Sequence, residues 1–282
     1  MRVHLCGVRG STPAVGTEFA RVGGHTSCVA IAHDDAEAPS LVLDGGTGLR
    51  RLTTVLDGSP FEGTILLGHL HWDHTQGIPF FAAGDRAESR VRLLLPAQGD
   101  VGPLELLSRG MGPPHFPITA EGLHGDWTIE FLEPGTHQFE GFDVLARDIP
   151  HPGGRTFGFR VDDGETQLAY LSDHGPIALG PGPDGWGPYH DAALELASGV
   201  DLLLHDSQYT AAELPARAAF GHSAAEYAVR LAEQCGVGRL LLFHHDPSRT
   251  DDEVAALADR LQPAPPLVVD VAVEGDVHRL TR

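Results

Sequence analysis

Three imidazoles and a carboxylate stand within six residues, His69-Leu70-His71-Trp72-Asp73-His74, directly after the apolar run Thr64–Gly68. Neutral imidazole and carboxylate are the ligands that suit zinc, iron or manganese. His69 and His71, two apart, can point to one side of an extended segment. If the chain then turns into a helix, Asp73 and His74 can face a second ion. The alternative is a polar surface loop that happens to be histidine-rich. Against it stands a recurrence of ligand-type residues after other apolar runs: His151 closes Phe142–Pro150, Asp173 closes Gln167–Ser172, His205-Asp206 closes Val200–Leu204, and His244-His245 closes Arg239–Phe243. Singly, each is a turn residue or a helix cap. Together they place metal-binding groups at the same end of five strands, where loops gather catalytic side chains.

The elements that must position these residues are legible from apolar periodicity. Strands are expected at Val3–Val8, Ser27–His33, Ser40–Asp44, Thr64–Gly68 and Val91–Leu95, with helices at Thr47–Asp57 and Pro103–Arg109. A run of strands follows: Trp127–Leu132, His137–Phe139, Phe142–Asp148, Phe157–Val161 and Gln167–Ser172. The last third alternates strand Val200–Leu204, helix Ser223–Cys235, strand Arg239–Phe243, helix Asp251–Leu261 and strand Leu267–Val273. Meandering strands followed by alternation suggest two sheets with helices outside. Neither a repeat nor a linker divides residues 1–282, so one domain is expected. The Gly- and Pro-rich stretches Gly110–Gly125 and Gly175–Gly187 read as loops.

Composition narrows the function. All 19 basic residues are arginine against 39 acidic ones, a net charge of −20, with 17 histidines besides. A mean hydropathy of −0.10 is that of a soluble globular chain. Without a cationic tract there is no broad nucleic-acid footprint and no affinity for an anionic membrane surface. Three cysteines without a CxxC pair read as reduced thiols. With no signal-like or membrane-spanning apolar run, the expected compartment is the cytoplasm.

The segment His69, His71, Asp73, His74 matches the HxHxDH signature of the metallo-β-lactamase superfamily, which the chain resembles over nearly its whole length. Gly7–Pro13 (GVRGSTP), Asp44–Gly48 (DGGTG), His151, Ser172-Asp173, His205–Gln208 (HDSQ), Gly221–Ser223 (GHS) and His244 fall in that family's order. Asp206 and His222-Ser223 make it most similar to the phosphodiesterase branch that includes the tRNA 3′-processing endonuclease and small cyclic phosphodiesterases. The resemblance implies an α/β fold, a four-layered αββα sandwich with the metal site at one sheet edge. It also implies two divalent ions, Zn2+ first, with Mn2+ or Fe as alternatives. His69, His71 and His151 would hold one ion, Asp73, His74 and His244 the other, and Asp173 would bridge them. His245 is a rival to His244, which directly follows its strand as the family's ligand does. His205 reads as a structural hydrogen-bonder, and His174 has no assigned part.

The implied chemistry is that of a dinuclear phosphodiesterase. A hydroxide shared by the ions attacks phosphorus while the metals neutralise charge on the oxygens. Asp73 belongs to this catalytic set, and His222 supported by Asp206 would protonate the leaving group. Ser223, before Ala224-Ala225-Glu226, offers the plainer reading of that stretch as a helix cap. The tRNA enzymes of the branch carry a basic, glycine-rich arm. Here the 21 residues between His151 and Asp173 include only Arg155 and Arg160 as cations, so tRNA is not expected and a small cyclic or nucleotide-like phosphodiester is. A lactonase or thioesterase shares HxHxDH and is the alternative; a non-catalytic metal scaffold would be expected to lack a ligand. A homodimer suits the branch, although no residue specifies one. Among lesser features, Phe116 in the 110–125 loop could stack on a base or merely cross the surface, Asp44 could support a metal histidine, and Arg9-Gly-Ser-Thr reads as a polar turn rather than a phosphate contact. His4, His25, His33, His137, His190 and His278 have no sequence partner.

Overall fold

The computed structural model describes residues 1–261 and 263–281. The first half of the chain supplies β1 (Arg2–Gly7), β2 (Cys28–Ala32), β3 (Leu41–Leu43), α1 (Leu49–Val55), β4 (Glu62–Leu66), α2 (Trp72–Thr75), β5 (Arg90–Pro96), α3 (Pro103–Gly110) and β6 (Asp126–Leu132). The second half supplies β7 (Gly135–Phe139), β8 (Phe142–Asp148), β9 (Phe157–Asp162), β10 (Gln167–Leu171), α4 (Asp191–Ala197), β11 (Leu202–Asp206), α5 (Leu214–Arg217), α6 (Ala225–Cys235), β12 (Arg239–Phe243), α7 (Asp251–Arg260), β13 (Val268–Val271) and β14 (Val277–Arg279). They form two seven-stranded sheets, β14-β1-β2-β3-β4-β5-β6 and β13-β12-β11-β10-β9-β8-β7.

The strands read as continuous apolar runs because both faces of each sheet are covered. Successive residues therefore enter different cores. In β2, Val29 and Ile31 face the other sheet while Cys28 and Ala30 face the outer helices; in β12, Leu241 and Phe243 face inward and Leu240 and Leu242 outward. The inter-sheet core is anchored by Phe142, Phe159, Tyr170 and Phe243. Leu49 and Leu52 of α1 and Leu106 and Leu107 of α3 close the first outer layer. Leu196 of α4, Tyr227 and Leu231 of α6, and Leu257 of α7 close the second, each large apolar side chain contributing roughly 1.5–3 kcal/mol by leaving water. The result is the αββα sandwich that the sequence implies. Among the described residues no helix is long and apolar enough to cross a membrane.

Three elements escape the periodic reading. α4 and α5 have seven and four residues, too short to show a helical stripe, and β14 has three, held by antiparallel pairing of Val3 with His278. The helix over 225–235 begins one step later than a Ser223 cap requires. Its N-cap is Ala224, with no side-chain cap, and the Ser223 hydroxyl donates instead to the His174 carbonyl. By contrast α7 opens on a full capping box between Thr250 and Glu253. All three cysteines are free thiols, two of them buried.

Topology brings the candidate site residues to one edge. β10, β11 and β12 are parallel neighbours, while β8 runs antiparallel to β9 and β9 antiparallel to β10, so β8 shares their direction. Their C-terminal ends thus lie together, facing the end of β4 in the other sheet. Arg9, just past β1, does not approach this edge as a substrate contact. It is fully buried and donates to the carbonyls of Gly23 (2.8 Å) and Arg249 (2.7 Å), with Asp251 Oδ1 at 3.4 Å. Asp251 also accepts the backbone N–H groups of Arg21 and Val22. Removing one partner of a buried ion pair leaves the other uncompensated. Arg9→Met is therefore expected to lower unfolding free energy by about 3–5 kcal/mol, seen as a lower urea midpoint at unchanged slope.

Candidate metal centre

Two residues past the end of β4 lies Gly68, whose N–H donates to Asp44 Oδ1 (2.7 Å) and whose carbonyl accepts from Phe157 N of the other sheet (2.8 Å). From this pinned point the chain runs extended through His69 and His71. His71, at φ −63° and ψ 155°, is the N-cap of α2, which carries Asp73 and His74. The segment therefore divides as its spacing predicts, one pair of ligands extended and one pair helical.

Two clusters result. His69, His71, His151 and Asp173 offer ligand atoms all within 4.8 Å of one another, and so do Asp73, His74, Asp173 and His244. Asp173 belongs to both: its Oδ2 lies 3.7 Å from His69 Nε2 and 3.5 Å from His151 Nε2, and its Oδ1 lies 2.9 Å from His74 Nε2 and 3.0 Å from His244 Nε2. Asp73 Oδ2 lies 3.3 Å from His74 Nε2 and 3.1 Å from His244 Nε2. All seven candidate ligands thus converge. His245 does not: its ring turns away and Nε2 bonds the Ala272 carbonyl at 2.9 Å.

The electrostatics ask for cations. Burial disfavours the charged form of Asp173, yet the surrounding His244, His74 and His69 hold it well below the usual carboxylate range. Asp73 is likewise held low against burial, by His74 and His244. His69 and His151 are pushed down by burial and stay neutral, as metal ligands must. Burial acts the same way on His74, but Asp173, Asp73 and Asp44 override it and raise its pKa well above the ordinary imidazole value. Positive charge is thus drawn to a ring with carboxylates at both of its nitrogens, Asp44 at Nδ1 and Asp73 and Asp173 at Nε2. The buried Nε2 atoms of His69 and His74 have no hydrogen-bond partner among the described residues. Orphaned imidazole nitrogens facing ionised carboxylates fit a pair of divalent cations.

Supporting contacts orient the ligands. Asp44 Oδ2 accepts from His74 Nδ1 (2.7 Å) and from the Tyr170 hydroxyl (2.7 Å). His151 Nδ1 donates to the Gly221 carbonyl at 2.8 Å, and Ser11 N donates to Asp73 Oδ2 at 2.6 Å. Ser11, Asp44 and His244 all have positive φ, 63°, 63° and 59°. Such strain in non-glycine residues gathers where function over-determines the backbone. Gly10 is needed for another reason: a Cβ there would overlap the His244 ring.

His222 and Asp206 meet as the sequence implies, Nδ1 to Oδ2 at 2.9 Å, both buried. Burial lowers the pKa of His222, but the Asp206 ion pair and the field of Asp173 raise it to about 9. Asp206, His222 and His244 also lie within 4.8 Å of one another, close enough to form a third ligand group. Beneath them runs a row of histidines that sequence reading left unpaired. His205 Nδ1 donates to the Asp206 carbonyl (2.7 Å), so its Nε2 accepts from His174 Nδ1 (2.9 Å), and His174 Nε2 accepts from His190 Nε2 (2.7 Å). Burial lowers the pKa of all three, that of His205 to about 4. This neutral, one-directional row ends on the backbone carbonyl of Asp206.

The clusters open into a cavity of about 660 Å³ that also includes Ser11, Gln208, Tyr209, Arg217 and Phe220. Only Gln208 and Ser11 stood in motifs noted from sequence; Arg217 and Phe220 come from α5 and the turn after it, which carry no pattern. Arg217 is paired with Asp246 at 2.8 Å and lies over the Tyr209 ring. Because Asp44 fixes the His74 ring and its tautomer, Asp44→Asn is expected to weaken metal affinity about 10- to 100-fold, read by competition with a chromogenic chelator.

The Beta-lactamase superfamily domain matches residues 42–245. Ribonuclease BN of Escherichia coli O6:K15:H31 (strain 536 / UPEC) is 30% identical over 236 residues, covering 67% of this chain and 72% of its own. The metallo-beta-lactamase fold protein YhfI of Bacillus subtilis superposes with a TM-score of 0.71 at 20% identity, covering 98% of each chain. Human tRNase Z, short form, gives 0.64 at 21% identity, covering 99% of each. A sandwich of two sheets whose shared edge gathers histidines and aspartates thus has its relatives among hydrolases, and the chain belongs to the beta-lactamase superfamily.

Proposed function

We propose that the chain is a dinuclear metal-dependent phosphodiesterase acting on a small, cyclic or nucleotide-like phosphodiester. The observation that carries this reading is the convergence of seven candidate metal-ligating side chains beside a separate His222–Asp206 pair, with His71, Asp73, Asp173 and His222 lining the cavity above them. His69, His71 and His151 would hold one ion, Asp73, His74 and His244 the second, with Asp173 shared; zinc suits this donor set. Bound there, the ions would supply a nucleophilic water at neutral pH and Lewis-acid neutralisation of charge on the phosphoryl oxygens.

The chain's own residues do the rest. Asp206 accepts from His222 Nδ1, leaving Nε2 as the atom that delivers a proton to the departing alkoxide. The Asp206 carboxylate is fixed by the N–H groups of His174 (3.2 Å) and Gln208 (3.0 Å), so the imidazole is held in one orientation. Hydrolysis of bis(p-nitrophenyl) phosphate and of 2′,3′- and 3′,5′-cyclic nucleotides by protein loaded with two metals tests the reading. Inactivity there, with turnover of acyl-homoserine lactones or glutathione thioesters, would replace it.

The proton-donor role has its own signature. An alkoxide needs protonation far more than p-nitrophenolate does. His222→Ala is expected to cost about 10²–10⁴ in kcat on an alkyl phosphodiester and much less on a nitrophenyl one, with two metals per chain retained. Parallel loss of metal and activity would instead make His222 a ligand.

The size of the substrate follows from charge. The residues between His151 and Asp173 are taken up by a turn and the β9–β10 pair, and the arginines near the cavity are already committed, Arg217 to Asp246 and Arg249 to Glu213 (2.7 Å). Few cations remain for a polyanion such as tRNA. Turnover of the preferred substrate is expected to vary weakly with salt between 50 and 200 mM, whereas a fall of about 10³-fold or more would restore nucleic acid.

A further inference from the structure

Trp72 is the one aromatic residue of the ligand segment, and nothing in the chemistry above uses it. His71 and Asp73, on either side, turn to the metal centre, and the indole between them stands 75% exposed. It lines the catalytic cavity and, with Phe80 and Phe116, a second cavity of about 530 Å³. Phe80 is 55% exposed and meets Phe116 edge to face, centroids 5.6 Å apart, over a floor of buried Leu107 and Met111. Thr75 and Gln76 supply a hydroxyl and an amide at the rim.

Aromatic walls with amide and hydroxyl groups beside them suit a planar heterocycle: its faces stack and its edges hydrogen-bond. An alkyl chain would fill the slot and make no use of that polar edge. The volume lies within the range of small-ligand sites. Because Trp72 belongs to both cavities, a group seated on it is contiguous with whatever occupies the metal centre. Resting on the phosphodiesterase reading, we infer that the slot is the nucleobase subsite, and that the substrate is a nucleotide whose base stacks on Trp72 while its phosphodiester reaches the metal ligands.

Thymidine 5′-(p-nitrophenyl phosphate) and methyl p-nitrophenyl phosphate share a leaving group and differ in the base. The wild type is expected to prefer the first, and Trp72→Ala to lower that preference in kcat/KM about 10- to 100-fold, through KM. Phe80→Ala, outside the ligand segment, is expected to lower it in the same direction, and it decides the matter if Trp72→Ala loses metal. An unchanged preference in metal-replete variants overturns the subsite. So does an equal loss for octyl p-nitrophenyl phosphate, which would make the slot an alkyl groove. If the loaded protein turns over neither ester, the phosphodiesterase reading fails and fluorescence tests the slot alone. Trp72 is one of three tryptophans, and thymidine 5′-monophosphate is expected to quench emission in the wild type and not in Trp72→Phe. No quenching in the wild type, or equal quenching in both, overturns the inference.

Discussion

The structure depends on one buried carboxylate being reached from both sheets. Asp173 leaves the end of β10 in the second sheet, and the imidazoles of His69 and His74 come to it from the first, while His151 and His244 come from its own. Such a group, taken out of water, is tolerable only where positive charge or donors surround it on all sides. The two sheets must therefore meet in a fixed relation at this edge. Tyr170 reaching across to Asp44, and Phe157 N–H bonding the Gly68 carbonyl, tie the sheets together within a few residues of the ligands. Asp44 links both demands, since its other contacts fix Gly68, just past β4, and the His74 ring beyond it.

What sequence reading captures here is what depends on local pattern. Two sheets with helices outside were legible because central strands covered on both faces are apolar, and the clustering residues because each follows such a run; the four-layered order and the division of candidate ligands came from the family resemblance. A carboxylate at a strand-to-helix turn marked Asp44 as a support for a ligand-type histidine, and the structure identifies that histidine as His74. What escaped depends on contacts distant in sequence. Nothing near Arg9 announces that its partners lie at Asp251 and at the Arg249 carbonyl; a buried guanidinium and an exposed one look alike in a string of letters. His190 reads as an isolated surface residue until α4, itself too short to detect, lays it against His174. Ser223 has the type and spacing of an N-cap, yet its hydroxyl finds a better acceptor in the His174 carbonyl, and the helix starts beyond it.

The net charge of −20 takes on a local meaning at this site. Carboxylates at the surface repel a long polyanion, and cavity arginines already paired with Asp246 and Glu213 add little attraction. Two divalent ions set against the carboxylates of Asp73 and Asp173 and one hydroxide would still leave the pocket about one charge positive. Attraction is then confined to the space of one or two phosphates. An acidic protein could select a small anion in this way, by placing net positive charge at the bottom of a cavity.

The six-residue segment His69–His74 also sets where its one indole lies. Its ligands are spaced so that the extended part serves one cluster and the short helix α2 the other. That division assigns a direction to the residues between them. Leu70 packs against the outer apolar layer of the first sheet, which anchors the segment. Trp72, at the first position of α2 between His71 and Asp73, is exposed at the border of two cavities. The geometry that gathers the candidate ligands thereby also places an exposed aromatic surface at the edge of the site.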